Sequence, residues 1–181
     1  GRLAAPAGAL AYTLAQGWVA RVLVGGAIVA AVADAAVAVA AFAAAAAAPA
    51  LAPRLLPPRT AARGTPAPVI IFPTGTDALP EEQLFRGAQE MTARGAGVLL
   101  FNGPGQGKSI RVHGIPTIPD YERVFTAAVD YLMGRNDVDH DRIGLIGGSM
   151  AGYYAPRAVS FEHRIKACVV WGALYDVLAD L

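Results

Sequence analysis

The sequence predicts an α/β fold built on a parallel sheet, and two observations lead to this prediction. Four short apolar runs recur in the second part of the chain, at residues 69–72, 97–101, 143–146 and 165–171. Runs of this length are typical of strands that are buried on both faces. The segments between the runs carry apolar residues at helical spacing, as expected when helices connect parallel strands and cover both faces of the sheet.

Three helices are predicted between and after these strands. Residues 81–94 have apolar side chains at helical spacing and two glutamates in the first turn, where the helix dipole favours negative charge. Residues 121–133 show the same periodicity, and a third helix follows residue 149 and ends near Phe161. The loops after the strands, at residues 73–80, 102–117, 147–152 and 172–180, meet at one edge of the sheet, where ligands bind in such folds.

A serine lies between the third predicted strand and the helix that follows it. Gly147 and Ala151 stand two residues before and two residues after Ser149, which makes the pattern G-x-S-x-A. In a sharp strand–turn–helix arrangement these flanking residues must be small, and the serine hydroxyl projects from the sheet edge on a strained backbone. The pattern predicts Ser149 as a nucleophile; a glycine- and serine-rich loop of another α/β domain is the alternative.

A serine that attacks a carbonyl creates an oxyanion, which needs two main-chain N–H donors. The N–H of Met150, directly after the serine, is the first predicted donor. The second is expected from the loop after the first predicted strand, and Thr76 in that loop is the predicted residue. A simple turn is the alternative interpretation of this loop.

A serine nucleophile also needs a histidine that takes its proton and an acid that orients the histidine. In the chain order that accompanies this serine turn, the acid and then the histidine follow the nucleophile. The three histidines, His113, His140 and His163, do not satisfy both this order and the expected sheet edge. Asp176, after the fourth strand, is a candidate acid, with a helix cap or a surface aspartate as the alternative. The sequence therefore identifies no histidine–acid pair.

The glycine-rich loop at residues 102–109 does not fit a phosphate-binding P-loop. That motif has four residues between its first glycine and the Gly-Lys-Ser triplet. Here Asn102 occupies the place of the first glycine, and three residues separate Gly103 from Gly107. The glycines are instead expected to let the backbone approach the serine closely. The sequence predicts no cofactor and no metal site.

The charge balance gives no indication of a nucleic-acid partner. The chain has 15 basic and 14 acidic residues and a net charge of +1. The single cysteine, Cys168, lies in the fourth apolar run and cannot form an internal disulfide, so it is expected to be a buried structural thiol. The expected partner is a small molecule.

The chain is divided by composition into three parts. Residues 1–52 include 24 alanines and predict a helical segment, such as a cap over the following domain. A membrane span needs about 20 strongly apolar residues, and Asp34 interrupts this run; a membrane anchor through residues 17–52 remains the alternative to a cytoplasmic protein. Residues 53–68, rich in proline and arginine, predict an exposed linker. Residues 69–181 form the α/β domain, which is expected to be part of a longer protein.

Three segments together resemble a known family, and they are residues 101–109, 147–158 and 164–173. They are similar to the FrsA-like branch of the α/β-hydrolases, which includes fungal hydrolases that shorten polyketide chains and a bacterial 2,6-dihydroxypseudooxynicotine hydrolase. The resemblance covers residues 69–178. It implies a partial α/β-hydrolase core, Ser149 as the nucleophile, an N-terminal helical cap, and an acid and a histidine that follow Leu181.

Two functions remain open at this point. The first is a serine hydrolase that cleaves an ester, or a carbon–carbon bond beside a ketone in a polyketide-like substrate, through an acyl-enzyme at Ser149. The second is a non-catalytic binding module that has the same fold and lacks a complete triad.

Overall fold

The computed structural model describes residues 53–60, 64–172, 174 and 176, and the predicted helical segment over residues 1–52 lies outside them. The strands among these residues are Arg54–Leu56 (β1), Ala67–Ile71 (β2), Gly97–Leu100 (β3), Val138–Gly148 (β4) and Ile165–Trp171 (β5). They form one sheet in the order β1–β3–β2–β4–β5. β1 is antiparallel to β3, and all other neighbours are parallel. The predicted α/β fold with a parallel sheet is confirmed.

The helices of the described residues follow the strands in chain order. They are a 3-10 helix at Pro80–Leu84, then Ala88–Ala93 (α1), Gly107–Arg111 (α2), Glu122–Met133 (α3) and Met150–Phe161 (α4). The helices predicted over residues 121–133 and from residue 149 to Phe161 are therefore confirmed. α3 and α4 pack against each other, and α4 also packs on β4 and β5.

Apolar side chains fill both faces of the sheet because successive residues of a strand point to opposite sides. On one face, Val69, Leu99 and Leu145 pack with Phe125 of α3 and Ala155 of α4. A smaller group of side chains fills the other face, which α1 and the segment after β2 cover. These side chains include Phe72, Val98, Leu100 and Ile146. Full burial of one such side chain stabilises the fold by about 1.5–3 kcal/mol. This two-sided core fixes where the strand ends lie.

The single helix predicted over residues 81–94 is wrong, since the structure divides it into the 3-10 helix and α1. Gly87 separates the two pieces and has φ 131°. Glycine adopts such a conformation at little cost, whereas other residues rarely do. The apolar spacing continues across the break, so the spacing alone did not indicate it.

The linker predicted over residues 53–68 differs from the structure, because it contributes β1 and the first two residues of β2. Leu55 and Leu56 pair with Leu99 and Val98 of β3 and pack against the core from the edge of the sheet. Prolines flank this short segment and end it quickly, as is common for an edge strand. Edge pairing with a strand some 45 residues later was not visible in the local composition.

The prediction that Cys168 is buried is wrong, because its side chain is exposed. β5 is the last strand of the sheet in the described residues, and β4 is its neighbour on the inner side. Most of its residues are exposed, including Val169 and Trp171, although the strand itself is apolar. An apolar run predicts a strand, but the exposure of the strand depends on what lies beside it.

Membrane association was the alternative for residues 17–52, which lie outside the described residues. Within the part of the chain that is described, none of the helices has both the length and the apolarity needed to cross a bilayer.

Candidate active site

The strand, turn and helix predicted around Ser149 are confirmed. β4 ends at Gly148 and α4 begins at Met150, so Ser149 is the entire turn between them. Ser149 has φ 56° and ψ −131°, and no other non-glycine residue among those described has a positive φ. A conformation of this kind costs about 1–3 kcal/mol and persists only where the surrounding structure imposes it. The Ser149 residue is exposed at the carboxyl end of β4.

Small residues around the turn allow the strand and the helix to come this close. A Cβ at Gly147 would overlap the carbonyl oxygen of Ala151 and lie 2.8 Å from the Cβ of Ala155. A Cβ at Gly148 would overlap the Trp171 indole. A side chain at Gly147 would push α4 away from the turn, and one at Gly148 would displace the Trp171 indole. The predicted requirement for a small residue two positions before the serine is therefore confirmed.

Main-chain hydrogen bonds hold the turn in place. The Ser149 N–H donates to the Trp171 carbonyl oxygen of β5 at 3.2 Å, and the Gly152 N–H donates to the Ser149 carbonyl oxygen at 2.7 Å. The Met150 N–H is at the first position of α4, where an amide has no acceptor within its own helix. The first amide of the helix therefore faces the turn and is available to a bound group.

The loop after β2 lies directly against the serine. We call residues 72–79 the Gly75 loop. A Cβ built on Gly75 would lie 3.3 Å from the Cβ and 3.5 Å from the Oγ of Ser149. Thr76, the predicted second oxyanion donor, is the next residue, and its carbonyl oxygen accepts a hydrogen bond of 2.9 Å from the Gly107 N–H. Within the described chain, neither the Thr76 N–H nor the Met150 N–H makes a hydrogen bond.

Trp171 forms an apolar wall beside the serine turn. Its indole lies next to Gly148 and meets the buried ring of Phe72 edge-on, with ring centroids 5.8 Å apart. The Trp171 residue remains 45% exposed. The surface beside the serine turn, at Gly148, is thus aromatic and partly open to solvent. This contact was not predicted, because the local pattern marks Trp171 only as one more apolar residue of the fourth predicted strand.

The glycine-rich loop after β3 does not form a phosphate site. The Gly107 and Lys108 N–H groups, which a phosphate would need, donate to the Thr76 carbonyl oxygen and to Asn102 Oδ1. The Lys108 ammonium pairs with Glu81 at 3.0 Å. A main-chain hydrogen bond and this ammonium group hold the pKa of Glu81 below its usual value. These donors are occupied inside the protein.

The three histidines lie in different places, and none of them hydrogen-bonds to Ser149 in the described part of the chain. His140 lies in the first half of β4, and its Nε2 is 3.0 Å from the Arg135 carbonyl oxygen. His163 lies between α4 and β5, at the opposite end of the sheet from the serine. His113 follows α2 on an exposed loop at the carboxyl edge. Asp176 is exposed and lies after β5.

The acid next to His163 has a structural role. The carboxylate of Glu162 is buried and accepts hydrogen bonds of 2.7 and 2.6 Å from the Arg164 guanidinium. Arg164 also donates to Asp130 of α3 at 2.7 Å. The hydrogen bonds from Arg164 hold the pKa of the Glu162 carboxyl below its usual range. Glu162 therefore ties the end of α4 to Arg164 and, through it, to α3.

Comparison with known proteins agrees with this architecture. No protein-family model matches the chain. The chain is 38% identical over 119 residues to alpha/beta hydrolase ucsC of Acremonium sp, a match that covers 62% of this chain and 24% of that protein. It is 40% identical over 113 residues to hydrolase phmG of Phaeosphaeria nodorum, over 61% of this chain and 25% of that protein. The chain thus spans about a quarter of the length of the curated relatives it matches.

Solved structures give the same result. The crystal structure of 2,6-dihydroxy-pseudo-oxynicotine hydrolase is similar with a TM-score of 0.61 and 30% identity, over 69% of this chain and 34% of that one. Alpha/beta hydrolase GrgF from a Penicillium species is similar in fold, with a TM-score of 0.51 and 21% identity, over 64% of this chain and 39% of that one. The fold is that of the α/β-hydrolases. The resemblance to fungal hydrolases and to 2,6-dihydroxypseudooxynicotine hydrolase, predicted from the sequence, is confirmed.

Proposed function

We propose that this chain carries the nucleophile of a serine hydrolase and that Ser149 is the nucleophile. The observation that carries the proposal is the positive φ of Ser149 in a one-residue turn between β4 and α4. A serine held in such a strained turn presents its hydroxyl at the sheet edge, where substrates reach it. Strain at an exposed polar residue is typical of active sites and has no evident structural benefit.

The proposed reaction begins when the Ser149 Oγ attacks a substrate carbonyl carbon and its proton passes to a histidine. The main-chain N–H groups of Met150 and Thr76 stabilise the resulting oxyanion. Collapse of the tetrahedral intermediate breaks the bond to the leaving group, which takes the proton, and leaves an acyl group on Ser149. Water then hydrolyses this ester. The histidine and its acid come from outside the described residues in this proposal.

The proposed substrate is a small carbonyl compound with an aromatic or apolar group beside the carbonyl. The exposed face of Trp171 next to Gly148 supports this choice, because aromatic side chains form apolar contacts with such groups. The bond that breaks is either the C–O bond of an ester or a C–C bond beside a ketone. The similarity to a hydrolase named for the aryl ketone 2,6-dihydroxypseudooxynicotine supports the second choice.

Steady-state kinetics of the full-length protein that contains this chain test the proposal. The substrates are p-nitrophenyl acetate and butyrate for ester cleavage, and 1-phenyl-1,3-butanedione for hydrolysis of a C–C bond to an acid and a ketone. Ser149→Ala is expected to lower kcat/KM by a factor of about 10³ or more. Ser160→Ala is the matched control, because Ser160 is an exposed serine on α4 that bonds to the Pro156 carbonyl oxygen.

The outcomes separate the two functions that the sequence left open. Turnover that disappears in Ser149→Ala and persists in Ser160→Ala supports the hydrolase. Equal turnover in wild type and Ser149→Ala contradicts the role of Ser149. Folded wild-type protein with no turnover on either substrate class, and no reaction with an organophosphonate, supports the binding module instead.

A further inference from the structure

Two buried amide side chains hold the Gly75 loop in place, and the proposed mechanism does not use them. Both come from the loop between β3 and α2, at residues 101–106, which we call the Asn102 loop. Asn102 is 2% exposed and Gln106 is 1% exposed. Buried amides of this kind are retained only where their hydrogen bonds are made, since an unmade bond in the interior is costly.

Gln106 joins the two loops through both ends of its amide. Its Nε2 donates to the Thr74 carbonyl oxygen at 2.5 Å, and its Oε1 accepts from the Gly103 N–H at 2.7 Å. The first bond links residues 32 positions apart, and the second fixes the amide relative to its own loop. The Gln106 side chain therefore sets the position of Thr74 directly.

Asn102 binds the same loop at two further points. Its Nδ2 donates to the Thr74 Oγ1 at 2.5 Å and to the Ala78 carbonyl oxygen at 3.1 Å. Its Oδ1 accepts the Lys108 N–H at 3.2 Å, so this amide is also fixed by its own side of the structure. Thr74 is fully buried and its side chain and carbonyl group are both engaged. The Gly75 loop is thus held on both sides of residues 75 and 76.

We propose that Asn102 and Gln106 are positioning residues, which hold the Gly75 loop so that the Thr76 N–H faces the oxyanion formed at Ser149. This inference rests on the proposed function. Gly75 and Thr76 directly follow Thr74, the point where both amides bind. Gly75 in turn lies close to the Ser149 side chain. A displacement of about 1 Å in a group of this kind can lower the rate about 100-fold.

The position of an oxyanion donor affects the transition state more than the bound substrate. Loss of such a contact therefore lowers kcat and leaves KM nearly unchanged. A side chain that only stabilises the fold lowers the amount of folded protein and does not change kcat per folded molecule. These two behaviours make the positioning role measurable.

Two isosteric variants remove the donors and keep the shapes and the acceptors. In Gln106→Glu the acceptor for the Gly103 N–H remains, but a carboxylate oxygen faces the Thr74 carbonyl oxygen. In Asn102→Asp the acceptor for the Lys108 N–H remains, and the donation to Ala78 is lost. Thr92→Val is the matched control, because the buried Thr92 hydroxyl donates to the Gln89 carbonyl oxygen on α1 at 2.9 Å, near the start of β3 and away from the serine.

The experiment combines two measurements on the full-length protein. Kinetics with p-nitrophenyl butyrate give kcat and KM per folded molecule, and hydrogen–deuterium exchange with peptide resolution gives the mobility of residues 72–79. We expect Gln106→Glu and Asn102→Asp to lower kcat about 10- to 100-fold, with KM within about three-fold. Exchange should accelerate in residues 72–79 and remain unchanged in β4 and α4. Thr92→Val should change neither kcat nor this exchange.

A protonated glutamate can donate the hydrogen bond that the amide made. The ratio of Gln106→Glu to wild-type kcat, each expressed per folded molecule, should therefore rise as the pH falls from 8 to 6, whereas loss of fold alone leaves kcat per folded molecule unchanged. Unchanged kcat in both variants overturns the inference, as does acceleration of exchange throughout the molecule. If wild type shows no Ser149-dependent turnover, the proposed function fails and the catalytic role of the two amides fails with it. Exchange confined to residues 72–79 would then show a purely structural link between the loops.

Discussion

The backbone strain at Ser149 predicts an unusual order of stability for two substitutions. Both Ser149→Ala and Ser149→Gly remove the hydroxyl, so their difference reports the cost of a Cβ at φ 56° and ψ −131°. Alanine keeps that cost and glycine does not. We therefore expect the glycine variant to be the more stable of the two, although glycine is ordinarily the less favourable residue.

The size of the difference follows from two opposing contributions. Release of the strain stabilises the glycine variant by about 1–3 kcal/mol. The larger conformational freedom of glycine in the unfolded chain offsets about 0.4–1 kcal/mol of this. The expected net difference is about 1 kcal/mol in favour of Ser149→Gly, which changes the ratio of folded to unfolded protein about five-fold. Urea titrations of the two variants, analysed for the free energy of unfolding, measure it.

Ser160 provides a control in the same helix with the opposite expected sign. It lies near the end of α4 and, like every described non-glycine residue except Ser149, has no positive φ. Alanine is favoured over glycine in helices, so Ser160→Ala should be more stable than Ser160→Gly by about 0.5–1 kcal/mol. A Ser149→Ala variant at least as stable as Ser149→Gly would refute the strain at the turn.

Three further predictions concern the surroundings of the turn. Gly147→Ala should lower the free energy of unfolding by about 2–3 kcal/mol, because the new methyl group meets the backbone of α4. Gly144→Ala, whose Cβ would have neighbours at 3.8 and 3.9 Å, should change the free energy of unfolding by less than about 0.5 kcal/mol. Similar values for the two variants in urea titrations would count against the close approach of α4 to Gly147. Glu162→Gln should lower the free energy of unfolding by about 1–2 kcal/mol at pH 7. Since Arg164 lowers the folded-state pKa of Glu162, this loss of stability should persist above the unfolded-state pKa and vanish as the pH falls through the folded-state pKa. A loss of stability that does not change with pH down to 3 would contradict the pairing of Glu162 with Arg164. Gly75→Ala should lower kcat/KM about 10-fold with less than about 0.5 kcal/mol loss of stability, and unchanged kinetics would place this loop away from the reacting carbonyl.

The sequence predicted those parts of the fold that depend on local patterns. The runs at residues 69–72, 97–101, 143–146 and 165–171 are short and mostly apolar, and the periodicity of Glu122–Met133 is regular, so strands and a helix were identified at these places. The serine turn was recognised because its steric requirement falls on neighbouring positions, with Gly147 and Ala151 both small. Steric requirements of this kind involve residues that are only a few positions apart in the chain.

The parts that the sequence did not predict depend on contacts between distant residues. β1 exists because Leu55 and Leu56 pair with β3, and the exposure of Cys168 depends on the position of β5 at the end of the described sheet. The amides of Asn102 and Gln106 reach Thr74 across 28 and 32 residues. Asn102 is a polar residue directly after a buried strand, and this position was the available signal. The sequence did not indicate which residues its side chain contacts.

The central claim is that the hydroxyl of Ser149 is the reactive group of this protein. Peptide mapping by mass spectrometry after reaction of the full-length protein with a fluorophosphonate tests it most directly. The account predicts one phosphonyl adduct on the peptide that contains Ser149, and no adduct in Ser149→Ala. An adduct on another serine, or equal labelling of the alanine variant, would contradict it.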